Sequence, residues 1–169
     1  MKENKSTYLF FKLWNEDFGF AVKNILEAVE MQKLTPIPNT PEFMEGVFVF
    51  RGQVVPVINL RAKFKLPAYN ENDRKYIIVS SISKNNEEQI IGFIVDKLLD
   101  VETLSEYNIN NFPEIGSQYN TKFIKGIVKL NNNFIIILNI EKIISSAESE
   151  IIKKCTQNFN LTDAKDKKE

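Results

Sequence analysis

The stretch FMEGVFVFRGQVVPVINL, residues 43–60, and the stretch FIKGIVKLNNNFIIILNI, residues 123–140, are one pattern written twice, 80 residues apart without a gap. Phe43 answers to Phe123, Gly46 to Gly126, Asn59 to Asn139 and Leu60 to Ile140. Each copy reads as two β-prone runs around a short polar turn, which is the signature of a hairpin. The turns are Arg51-Gly52-Gln53 and Asn131-Asn132-Asn133. A second match lies upstream: Gly19-Phe20-Ala21-Val22 with Gly92-Phe93-Ile94-Val95, and Ile25-Leu26-Glu27 with Leu98-Leu99-Asp100, 73 residues apart. An internal repeat of this kind constrains the fold before any single element does.

Outward from these stretches, YLFFKLW (8–14) and FGFAV (18–22) flank a polar NED turn and form another hairpin. ILEAVEM from Ile25 fits a third strand or a helical turn. Prolines 36, 38 and 41 exclude a regular helix in the loop that follows. Pro56, opposite Ile136 in the repeat, lacks a backbone donor and belongs at an edge or a bulge. Asn59 is a good N-cap, and a short helical turn starts there. Residues 67–75 form a polar linker. The pattern then restarts with strands at 76–82 and at IIGFIV, LLDVE is a candidate for another, and an irregular stretch runs from Thr103 to Lys122.

Each half therefore offers about five short strands and a closing helical turn. Five short antiparallel strands hide their edges best by curling into a small barrel. The expected fold is mainly β: two barrel lobes, residues 8–66 and 75–145, in a domain spanning 5–148. Between Glu141 and Phe159, apolar Ile143, Ile144, Ala147, Ile151, Ile152 and Cys155 recur at helical spacing. Residues 149–169 are read as a C-terminal helix and a frayed, charged tail.

Lys+Arg and Asp+Glu each number 22, so no basic face for nucleic acid is implied. One cysteine excludes an internal disulfide, and the absence of histidine removes the usual general base and the commonest metal ligand. Neither a secretory signal nor an apolar run of membrane-spanning length is found. No metal or cofactor is expected. The adjacent carboxylates Glu16-Asp17 and Glu87-Glu88 lie in turns, where neighbouring side chains are not preorganised for catalysis. The many phenylalanines fall in strands of core type rather than forming a stacking platform for single strands.

Against the repeat, Arg51 stands out. Its counterpart Asn131 shows that this turn closes without a cation, so the turn does not demand the arginine. A guanidinium presents a planar fork of donors suited to a carboxylate, and Gly52 beside it allows a close approach.

Phe43, Gly46, Val47, Arg51, Gly52, Val55, Pro56, Val57, Leu60, Arg61, Lys63 and Phe64 together resemble the CheW family of chemotaxis coupling proteins. The resemblance extends to DFGFAVKNILEAVE, the NTPEF loop, IIGFIVDKLLDV and ILNIEKII, from about Tyr8 to Ser146. It implies two SH3-like barrels and a non-enzymatic, cytoplasmic adaptor recruited to membrane-associated receptor arrays. The implied partners are the regulatory domain of the histidine kinase CheA, the cytoplasmic tip of methyl-accepting chemoreceptors docked between the lobes, and other CheW-like proteins in rings. On this resemblance Arg51 and Gly52 take a coupling role, Ile25 and Glu27 match partner-contacting positions, Tyr76 a groove residue and Ile115 an interface position of the second lobe. Ile25 is equally well read as core. Val49 and Asn59 depart from the family's usual Asn and Asp, which leaves partner choice open. A detached kinase-regulatory barrel pair forming rings without kinase is the alternative.

Overall fold

The computed structural model describes residues 4–111 and 122–166. Ten strands run in chain order: β1 (Lys5–Leu13), β2 (Glu16–Ala21), β3 (Ile25–Glu30), β4 (Met44–Phe50), β5 (Gln53–Asn59), β6 (Tyr76–Lys84), β7 (Glu87–Val95), β8 (Lys97–Ser105), β9 (Ile124–Leu130) and β10 (Asn133–Leu138). Two helices, α1 (Leu60–Lys63) and α2 (Ser146–Asp166), accompany them.

The strands form two five-stranded sheets, β8-β1-β2-β10-β9 (barrel I) and β3-β6-β7-β5-β4 (barrel II). Pairing is antiparallel except for one parallel contact in each, β10 on β2 and β5 on β7. Neither barrel is contiguous in sequence. Each joins the β-hairpin that opens one repeat to the last three strands of the other, so the expected lobes 8–66 and 75–145 are corrected: the two repeats exchange strands. The chain crosses between barrels at residues 22–24, a 3-10 turn, and at Asp96 between β7 and β8.

The repeat itself maps strand onto strand. Val57 lies against Gly92 in barrel II as Ile137 lies against Gly19 in barrel I. Asn59 N–H donates to Phe43 O at 2.7 Å, and Asn139 N–H to Phe123 O at 2.7 Å. Both asparagines cap a helical turn, accepting from Ala62 N–H and Glu141 N–H respectively. Arg51 and Gly52 have φ 48° and 76°, and Asn131 and Asn132 have φ 48° and 66°. Two consecutive left-handed residues are what a two-residue type I′ hairpin requires.

Exchange explains why the central strands read as unbroken apolar runs. Tyr8 and Phe10 of β1 line barrel I with Val128, Ile135 and Ile137. Ile77 and Val79 of β6 line barrel II with Val55, Val57 and Ile94. Their neighbours Leu9, Phe11 and Leu13, and Ile78 and Ile82, point the other way into a third core between the barrels, with Phe20, Phe93, Leu138 and Ile152. Strands buried on both faces lose the polar alternation of a surface strand.

Several local expectations are settled. Ile25–Glu30 is a strand. Pro56 is at neither an edge nor a bulge, since β5 lies between β7 and β4 and the ladder slips only at Met44/Gly46; it pairs with Val47, whose N–H and C=O both bond Thr35 instead, so the missing donor costs nothing on that side. Part of the expected irregular stretch is ordered: β8 runs to Ser105 and a 3-10 turn covers Glu106–Asn108. Helix α2 begins at Ser146 and keeps helical backbone to Asp166, into the segment expected to fray.

Candidate functional site

Barrel II has a seam where the edges β3 and β4 face each other without a continuous ladder. Two devices close it. Thr35 bonds Val47 reciprocally, both hydrogen bonds at 2.9 Å. At the hairpin tip, Arg51 Nη2 lies 3.5 Å from Glu27 Oε2 on β3, with side chains 65% and 45% exposed. The guanidinium also sits over the Phe50 ring, 4.8 Å from its centroid.

The structure thus brings two of the sequence-predicted residues, Arg51 and Glu27, into one ion pair. Ile25, at the start of β3, is half-buried against the core between the barrels. Tyr76, the first residue of β6, lies between Glu30 of β3 and Val95 of β7 and packs against the same core. Gly52 has open space where a Cβ would stand, so its place rests on φ 76° alone. Ile115 lies outside the described residues. Val49 is 65% exposed on β4, beside a cleft lined by Gln32, Lys33, Thr35, Val47 and Phe48.

The matched tip of barrel I carries Asn131, and the residue matching Glu27 is Asp100. Its seam is closed by the reciprocal Asn110–Ile127 bonds, 2.9 and 2.8 Å. A half-exposed stitch lies nearby: Tyr8 Oη donates to Glu106, and Lys125 Nζ lies 2.9 Å from Tyr8 Oη and 3.0 Å from Glu106. Burial pushes Glu106 up, but bonds from Lys125, Tyr8 and Ser6 outweigh it and hold the carboxyl below its ordinary range.

Sequence reasoning missed a second cluster. Arg61 of α1 donates from Nε and Nη2 to the Asp96 carboxylate. Tyr69 Oη donates to the same carboxylate at 2.6 Å, and Trp14 N–H, in the β1–β2 turn of barrel I, at 2.9 Å. The guanidinium stacks over the Tyr69 ring at 4.0 Å. The bond to Asp96 raises the Arg61 pKa, and burial followed by the same carboxylate raises that of Tyr69. Lys63 lies 2.6 Å from Glu148 of α2 and over the Phe43 ring, while Phe64 stacks on Phe123 at 4.7 Å. Glu148 also forms a capping box with Ser145, accepting from its N–H as its own N–H donates to Ser145 Oγ. The S-x-x-E spacing at 145–148 was the available signal for that helix start.

Two barrels of duplicated sequence, with an exposed cation on the hairpin tip of one and asparagine on the other, offer a surface suited to contact with a partner, as in a scaffold. The model of the CheW-like domain matches residues 7–148. The chain belongs to the CheW family and is a chemotaxis coupling adaptor. It is 35% identical over 138 residues to the chemotaxis protein CheW of Helicobacter pylori, covering 81% of this chain and 80% of that one. With CheW of Thermotoga maritima it shares 34% over 136 residues, 80% and 85% of the two chains. The crystal structure of the scaffolding protein TtCheW from Thermoanaerobacter tengcongensis superposes with a TM-score of 0.73 at 29% identity, covering 85% of this chain and 90% of that one. Among the described residues no helix is long and apolar enough to cross a membrane.

Proposed function

We propose that this protein is a non-enzymatic adaptor in the cytoplasm that joins the regulatory domain of the kinase CheA to the cytoplasmic tip of chemoreceptors in membrane-associated arrays. Arg51, Gly52, Glu27, Ile25, Tyr76 and Ile115 supply its partner contacts. One observation carries the assignment to Arg51. The arginine occupies a left-handed backbone position that asparagine fills in the other barrel with less strain. Its ion pair with Glu27 is exposed on both sides, and exposed pairs contribute about 0–1 kcal/mol to stability. A residue that adds strain and little stability is explained by what it binds. Glu27 engages one arm of the guanidinium, and the other donors, without a hydrogen-bond partner among the described residues, can grip a partner carboxylate or carbonyl.

The test is binding of a kinase regulatory-domain fragment and of a receptor-tip fragment to Arg51→Ala and to the matched control Asn131→Ala, beside melting curves of both. Arg51→Ala should melt like the wild type and lose roughly 2–5 kcal/mol of binding to at least one partner, the range for truncating an interfacial charge. Asn131→Ala should bind normally. Equal binding by both variants makes the arginine a solvated turn residue and removes the assignment.

A further inference from the structure

The Asp96 carboxylate accepts four hydrogen bonds, from Arg61 twice, Tyr69 and the Trp14 N–H, and no role in coupling attaches to it in the function proposed above. Asp96 is the lone residue between β7 and β8, at a crossing from barrel II to barrel I. Its oxygens accept from Arg61, from Tyr69 and from the Trp14 N–H, and its own N–H donates to Lys12 O at 3.0 Å. Three separate pieces of chain meet there: the β1–β2 hairpin of barrel I, the linker before β6, and helix α1. Arg61 further ties the linker by donating to Pro67 O and Ala68 O. The side chains of Arg61 and Asp96 are only 12% and 15% exposed.

The repeat shows that this hub is not a general requirement of the fold. The residues matching Asp96 and Arg61 are Lys23 and Glu141, the same charges in reverse. Lys23 is exposed, and among the described residues no ion pair joins it to Glu141. One barrel has a clamp at the end of its central strands, and the other does without.

What the clamp holds is the base of the Arg51 hairpin. Helix α1 follows β5 directly, and Gly52 and Arg51 precede the opposite end of that seven-residue strand. At about 3.3 Å per residue that is a rigid arm of roughly 20 Å, fixed at one end to barrel I through Arg61, Asp96 and Trp14. A shift at the base is carried to the tip, where the gap between Arg51 and Glu27 is already 3.5 Å. We propose that Asp96 is a positioning residue for coupling, which acts through Arg61 and β5 to set where the Arg51–Gly52 tip stands. Its effect on partner binding rests on the coupling function proposed above; its effect on the hairpin does not.

Two measurements on Asp96→Asn test this. The first needs no partner: amide hydrogen exchange at Phe48, Phe50 and Val55 of the barrel II hairpin, against the matched Val128, Leu130 and Ile135 of barrel I. Exchange should rise about tenfold or more at the first set relative to the second. The second is a double-mutant cycle in binding with Arg51→Ala. If Asp96 works through Arg51, the double variant should lose no more affinity than Arg51→Ala alone, whereas general damage would multiply the losses. Tyr69→Phe, which deletes one hydrogen bond to Asp96 and keeps the ring, should shift exchange in the same direction by less, and it serves if Asp96→Asn does not fold. Unchanged relative exchange in a folded variant, or losses that multiply, overturns the proposal. If Arg51→Ala itself binds normally, the coupling role of the tip fails, and the exchange data alone then decide whether Asp96 positions it.

Discussion

Gly46→Ala should open the seam of barrel II, and the size of the loss follows from the geometry. A Cβ at Gly46 would stand 2.5 Å from Thr35 O and 2.9 Å from Thr35 C, closer than real Cβ contacts come, and both are backbone atoms. Thr35 must therefore retreat, breaking its two hydrogen bonds to Val47. Two backbone bonds contribute about 0.5–1.5 kcal/mol each. Gly46 also has φ 151°, outside the regions open to a residue with a side chain, which adds roughly 1–3 kcal/mol. The total is about 2–6 kcal/mol, centred near 4, or roughly a 10 °C fall in Tm for a chain of this size. Gly126→Ala separates the two contributions, because its Cβ would meet Asn110 O at 2.5 Å without a positive φ; the expected loss is about 1–3 kcal/mol. Gly52→Ala is the opposite control, positive in φ with empty space around it, and should cost only about 1 kcal/mol. Urea titrations followed by circular dichroism give the three values with a common m. If Gly46→Ala costs no more than Gly52→Ala, Thr35 yields without losing its bonds and the closure argument is wrong.

Ser80 is fully buried on the face of β6 that Ile78 and Ile82 share, and its hydroxyl has no partner among the described residues. Ser80→Ala should be neutral or stabilise by up to about 1 kcal/mol, and a loss of more than that in urea would show that the hydroxyl is bonded. Burial pushes Glu148 up, but Lys63 and Ser145 outweigh it and leave its pKa below the ordinary 4.5. A carboxyl lowered on folding adds stability above the unfolded value and loses it as pH falls through the folded one. Unfolding free energy should thus fall with acidification below about pH 4.5, and Glu148→Gln should flatten part of that slope; an unchanged slope refutes the assignment.

The repeat was legible because duplicated strands keep their turn chemistry. Gly46 and Gly126 each lie under a bridging backbone, and Asn59 and Asn139 each cap a turn. These are local demands, written in single residues at a fixed spacing. Arg51 was singled out in the same way, by failing to match its counterpart. The ion pair with Glu27 was not legible, since nothing in the spacing of residues 27 and 51 says that β3 and the β4–β5 tip face each other across a seam. Arg61 belongs to the motif of the first repeat, but its partner Asp96 lies between two strands of the other repeat. Side-chain clusters assembled across the exchange are silent in a single sequence.

The exchange of strands escaped for a related reason. Hydrophobic period tells whether a strand is buried on one face or two, but not which neighbour covers it. YLFFKLW and IIVSSI carry the two-faced signal, and contiguous lobes would have left one face of each hairpin to solvent. Two separate barrels of five strands need polar outer faces, whereas Phe11, Phe18 and Phe20 fill the face that β1 and β2 turn away from barrel I. That surplus of apolar surface requires a second barrel against it. A core continuous across both barrels, crossed twice by the chain, makes them one mechanical body. A contact at the Arg51 tip therefore bears on a frame that includes barrel I, and a coupling adaptor that transmits such a contact needs that stiffness.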